Sequence, residues 1–163
     1  MISKSVEHKR IEKPALADYL AVMSRALFQA GLSWAQIDRQ WLSLYKAFDD
    51  FDPRKVAKYL DPQIRRIIST PGILHSERKI KATIHNAGVM LELDKEYDGF
   101  QKYLRSHGSY HDLTADFKRR FSYIGDISAY YILFRVGEKV PTFEKWIKTV
   151  EGEHPRIQEM VAQ

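Results

Sequence analysis

Cysteine is absent from all 163 residues, which excludes disulfides, thiolate zinc sites, iron–sulfur clusters and a cysteine nucleophile together. No apolar run approaches the ~20 residues needed to span a bilayer. The opening MISKSVEHKRIEK lacks the apolar centre of a secretory leader. These features agree with a cytoplasmic chain that has no membrane partner. Low-complexity tracts and internal repeats are missing as well, so disorder is not expected. Hydrophobic residues make up 44% of the chain and charged ones 29%, the proportions of a globular protein long enough to bury one core. The net charge of +5 and pI of 9.3 favour a polyanionic partner such as nucleic acid without requiring one.

Apolar spacing predicts helices throughout. After a polar arm over residues 1–13, Pro14 suits a first helical turn. Leu16, Tyr19, Leu20, Met23, Leu27 and Ala30 then recur at steps of three and four until Gly31. Ser33 is placed to cap a second helix carrying Ile37, Trp41, Leu44, Tyr45 and Phe48. Asp52-Pro53 and Asp61-Pro62 each join a capping residue to a first-turn proline, which predicts two short helices in quick succession. Helical period returns over 76–93, then over 100–105 and 112–120, across the FSYIGD connection into SAYYILFRV, and in TFEKWIKTVEG and PRIQEMVAQ. The expectation is an all-α fold, one helical domain over 14–163.

Within it, KRRFSYIGDISAYYILFRVG (a hairpin over about 112–137) reads as helix, glycine-bearing turn, helix. In a helix-hairpin-helix element, a glycine such as Gly125 lets the backbone approach a DNA phosphate. The free N–H groups of the second helix then hold the anion, with Lys118, Arg119 and Arg120 adding charge. Any two packed helices joined by a glycine turn share this pattern. His107 and His111 flank Gly108 and read as a solvated loop rather than a metal pair. Trp41 and Trp146, at helical spacing, read as core. Arg65, Arg66, Arg78, Lys79 and Lys81 form either a DNA-facing strip or a solvated helix face. Asp49, Asp50 and Asp52 suit capping and solvation.

The words AGLSW at 30–34, FDP at 51–53, KVA at 55–57 and PGILHSERKIKATIHNA at 71–87 stand in register without a gap. Together with FSYIGDISAYYILFRVG they resemble the DNA-3-methyladenine glycosylase I family, of the helix-hairpin-helix glycosylase superfamily. The resemblance runs over about residues 15–137. It implies a helical bundle, two lobes with a cleft, and hydrolysis of the N-glycosidic bond of N3-methyladenine in double-stranded DNA as a step of base-excision repair. It matches Trp34 to the pocket tryptophan and Leu32 to the wedge that fills the gap left by a flipped base. Phe28 would line the same cleft, Gln29 would contact the base or orient water, and His75, Arg78 and Lys79 would touch DNA.

Departures from the family are equally specific. Its base-reading glutamate falls on Ala26. Its cysteine- and histidine-type zinc ligands have no counterpart, so no metal and no cofactor are expected. An aspartate that other superfamily members place after the hairpin falls on Phe143, with Glu144 one residue away. The Schiff-base lysine of bifunctional relatives falls on Ile127, so no lyase activity is expected. Three readings follow: a monomeric, monofunctional glycosylase; a catalytically lapsed homologue that binds damaged or bent DNA; and a helical interaction module whose cleft holds something else.

Overall fold

The computed structural model describes residues 9–73 and 76–162. They form ten α-helices joined by short turns and two 3-10 turns, with no strand among them. In chain order the helices are α1 (Leu16–Gln29), α2 (Trp34–Ala47), α3 (Pro53–Val56), α4 (Asp61–Ile68), α5 (Glu77–Glu96), α6 (Phe100–Leu104), α7 (Tyr110–Arg120), α8 (Asp126–Arg135), α9 (Phe143–Trp146) and α10 (Pro155–Val161).

Local chemistry sets most of these ends. Gly31 takes the left-handed conformation (φ 82°) that closes α1. Ser33 then accepts from Gln36 N at 3.2 Å while the Gln36 side chain accepts from Ser33 N at 2.8 Å, a capping box that starts α2. Asp52 caps α3 through Arg54 N at 3.0 Å, Ser76 caps α5 and Ser109 caps α7. Pro14 stands outside α1, whose first turn is instead closed by Asp18 accepting from Ala15 N at 2.7 Å. The helix predicted from Pro53 ends early, because the chain turns at Lys58 toward the start of α4.

Helix α1 is the centre of the packing. It lies against α2, α5 and α8 and buries nine residues between Tyr19 and Phe28. Trp41 stacks on Phe51 at 5.3 Å and Trp146 on Tyr130 at 4.1 Å, so both tryptophans pack into the core as their spacing suggested. His107 is not solvated. Its ring contacts Leu104 O at 3.3 Å and Asp116 at 3.2 Å, because the start of α7 folds the 107–109 turn back over α6. His111, on the first turn of α7, is exposed.

The end of the N-terminal arm docks on the last turn of α8. Ile11 N donates to Arg135 O at 2.7 Å, Arg10 to Glu138 O at 2.8 Å and Arg135 to Lys9 O at 3.3 Å. Gly137 permits this approach. Its φ is 85°, and a Cβ there would lie 3.0 Å from Ile11 O. Gly137→Ala is therefore expected to lower stability by about 1–2 kcal/mol, the left-handed cost for an L side chain, with the steric term in addition. Gly125→Ala, at φ −111° with open space around the added carbon, should leave the urea midpoint nearly unchanged.

Asp116 gathers donors from three elements: Tyr103 Oη at 2.8 Å, His107, Arg120 at 2.9 Å, and Arg119. Burial pushes its carboxyl up, but hydrogen bonds from Tyr103, Arg119, Arg120 and His107 outweigh that and hold it well below the usual range. A depressed folded value means that the unfolded chain binds the proton more readily. The stabilisation is then full above the unfolded aspartate value of about 3.9 and is lost as pH falls toward the folded one. Urea unfolding at a series of pH values should show Asp116→Asn with a flatter acid limb than the wild type.

Candidate functional site

The turn between α1 and α2 brings Trp34 to the surface as the first residue of α2. Its ring is half-buried and leans on Tyr131 of α8, with centroids 4.8 Å apart and planes at 44°. Beside it opens a cavity of about 430 Å³. Gln29, Ala30 and Trp34 form one wall, Ile127 and Ser128 from the first turn of α8 a second, and Glu153 to Ile157 a third. Gln29 donates from Nε2 to Leu32 O at 2.9 Å, which ties the side chain to the turn and makes Oε1 the acceptor end of its amide. Leu32 is half-buried against the core.

Behind this wall lies a charged network. Arg25, 2% exposed, pairs with Asp38 of α2 at 2.5 Å, and Asp38 also receives Arg156 of α10 at 3.0 Å. Burial pushes the Asp38 carboxyl up, but hydrogen bonds from Arg25 and Arg156 prevail, and it lies below its usual value. The Arg25 guanidinium also covers the Trp41 ring at 5.0 Å. The consecutive helices α1 and α2 are thereby joined to α10, whose Arg156 lines the Trp34 cavity.

The second wall depends on the turn from α7 to α8. Asn86, fully buried on α5, accepts from Ser122 N at 2.8 Å and donates to Ser122 O at 3.2 Å. Tyr123 follows in the left-handed region (φ 63°) with its ring 37% exposed. Gly125 is the residue before α8, and nothing in the chain lies within 4 Å of where its Cβ would be. Lys118 pairs with Asp126 at 2.6 Å, and Arg119 and Arg120 pair with Asp116. The hairpin cations therefore carry intramolecular partners, though Arg119 remains 70% exposed. Arg78 is exposed on the first turn of α5.

Several expected site residues lie elsewhere. Phe28 is 2% exposed and packs on Phe48 at 5.6 Å, because α1 turns that face to the core; it does not line the cavity. Lys79 points inward and donates to Phe28 O at 3.2 Å and Ala30 O at 2.5 Å. The carbonyls ending α1 carry the negative end of the helix dipole and capture the ammonium, and burial lowers its pKa. Glu144 is exposed at a different cavity, with Arg10 and Phe134, because α9 leads away from Trp34. His75 lies outside the described residues. Conversely, Asn86, Tyr131 and the 153–157 segment were not singled out from the sequence. Of these, only Asn86 carried a signal, a polar side chain on the apolar stripe of a helix.

A family model described as methyladenine glycosylase matches residues 17–128. The chain belongs to the methyladenine glycosylase family. Among its relatives, the DNA-3-methyladenine glycosylase of Haemophilus influenzae is 25% identical over 130 residues, 67% of this chain and 70% of that one. DNA-3-methyladenine glycosylase 1 of Escherichia coli is 32% identical over 78 residues, 48% and 42% respectively. A crystallised variant of 3-methyladenine DNA glycosylase I in complex with 3-methyladenine shares the fold at 22% identity. It has a TM-score of 0.69 over 84% of this chain and 88% of that one. The 3-methyladenine DNA glycosylase I of Staphylococcus aureus does so at 20% identity, with a TM-score of 0.69 over 84% and 87%.

The chain has no cysteine, so it offers a metal no thiolate. No group of three or more histidine, aspartate or glutamate side chains stands ready to hold a metal among the described residues. The N-terminal arm is held to α8, and Arg156 of α10 to Asp38. Asp38→Ala removes the carboxylate that Arg25 and Arg156 share at this buried position and is expected to cost about 3–5 kcal/mol in urea unfolding.

Proposed function

We propose that the chain is a monofunctional DNA glycosylase that hydrolyses the N-glycosidic bond of alkylated adenine, N3-methyladenine foremost, in duplex DNA. The observation that carries this reading is one cavity shared by the Trp34 ring and the first turn of α8. A glycosylated N3-methyladenine is cationic and leaves readily. The protein has chiefly to extrude the nucleotide and hold the base against an aromatic face. Trp34 is that face, and the Gln29 amide offers an acceptor for the exocyclic amino group. Leu32, at the turn beside the cavity, is the wedge. Its cost is a few kcal/mol of lost stacking.

DNA reaches the cavity along the α7–α8 turn. The open space at Gly125 leaves room for a phosphate, and the first N–H groups of α8 have no helical acceptor. The Lys118–Asp126 pair is exposed on both sides and worth little, so Lys118 exchanges carboxylate for phosphate at small cost, and Arg119, 70% exposed, lies on the same surface while Arg120 stays with Asp116. Arg78 extends the same basic surface. Ile127 in place of a lysine leaves no amine there for lyase chemistry.

A second reading, a lapsed homologue that binds DNA without excision, is favoured by one observation. Position 26 is a buried alanine, so α1 brings no carboxylate to the base. The two readings separate on release of 3-methyladenine from alkylated duplex DNA at enzyme excess. Wild type should release it, and Trp34→Ala should do so about 5- to 150-fold more slowly, the equivalent of ~1–3 kcal/mol of lost stacking. No release by wild type leaves the lapsed reading. Binding to an abasic duplex should weaken steeply with salt, by a slope near −0.9 per phosphate contacted; a flat dependence discards DNA altogether.

A further inference from the structure

We propose that Glu153 is the carboxylate that reads the base, reaching it from the wall of the Trp34 cavity built by the C-terminal segment. The inference rests on the reading of that cavity as the base site. A glycosylated N3-methyladenine presents a delocalised positive charge and an amino group that donates hydrogen bonds. An anion beside the aromatic face strengthens selection for it over neutral adenine. Helix α1 offers none: Ala26 is buried and apolar. Among the described residues lining the cavity, Glu153 is the one carboxylate. Arg156 on the same wall is ion-paired to Asp38.

The segment that carries Glu153 is held on both sides. Before it, Gly152 turns the chain at φ 82°. After it, His154 Nε2 contacts Glu151 O at 2.9 Å, and the imidazole ring lies 5.9 Å from that of Trp146. Ile157 is buried in the core, and Arg156 reaches Asp38 at 3.0 Å. Glu153 itself is exposed and forms no ion pair among the described residues. It is an anion on an anchored backbone, free to accept from a ligand in the cavity. With Trp34 lining the same cavity, a cationic purine there meets both a π face and a negative charge. Glu153 binds the base and takes no part in bond breaking.

The test uses 3,9-dimethyladeninium, a permanent cation that mimics the glycosylated base, with adenine as the neutral comparison, each titrated calorimetrically into the full chain. Wild type should prefer the cation at least tenfold. Glu153→Gln should reduce that preference to about twofold or less, while Glu144→Gln, at the other cavity, preserves it. Because Glu153 is exposed, its variant should unfold at the wild-type urea midpoint. A Glu153→Gln protein that keeps the preference overturns the inference, as does a wild type that binds neither ligand. Release of 3-methyladenine from alkylated DNA is measured alongside. Excision with an unaltered preference in Glu153→Gln rejects Glu153 and leaves the function standing. Preference lost in Glu153→Gln without any excision by wild type rejects the hydrolase and keeps Glu153 as the cation reader.

Discussion

A guanidinium 2% exposed beneath the first helix sets the condition that the rest of the site obeys. Arg25 cannot be stable there without a counter-charge, and Asp38 supplies it only if α2 leaves the Gly31 turn in its observed direction. That direction brings Trp34 to the edge of α8. Asp38 has a second oxygen to satisfy, and Arg156 does so at 3.0 Å, drawing α10 in to close the third wall. Charge neutralisation in the interior thus fixes the walls of the cavity before any ligand is considered.

The same geometry explains why basic residues here serve unequal ends. Lys79 is drawn to the carbonyls at the end of α1, and the cations of α7 lie over Asp116 and Asp126. Arg78 points to solvent. A basic stripe in the sequence is therefore divided between internal capping, surface pairing and open charge. Only the last two are available to a polyanion.

Much of the fold was legible because its determinants are local. Apolar residues at steps of three and four, Ser33 and Asp52 as caps, and Gly31 as a stop each act within a turn or two of where they stand. Trp34 and Gln29 were singled out by the family resemblance, and the short turn between α1 and α2 brings both to the wall of one cavity. What failed was facing. Phe28 and Lys79 sit on helices correctly anticipated, yet the side each presents to the interior is decided by α2, α5 and α1 packing together. Glu144 was weighed as the neighbour of Phe143, where superfamily members carry an aspartate, whereas the path of α9 carries it to another cavity. The third wall was invisible for the deepest reason: nothing local in EHPRI marks it. Its position follows from an ion pair spanning 118 residues.

Asn86 holds the α7–α8 turn by both the N–H and the C=O of one residue, Ser122. A contact with one prong permits sliding, since a neighbouring group of the same kind can take over. A two-pronged grip needs donor and acceptor in the right order at once, and moving the turn by one residue breaks both bonds to a fully buried side chain. The approach of the hairpin to the cavity is therefore all-or-none. The turn is either seated at Ser122 or released, and the body of the protein dictates its register whatever lies outside.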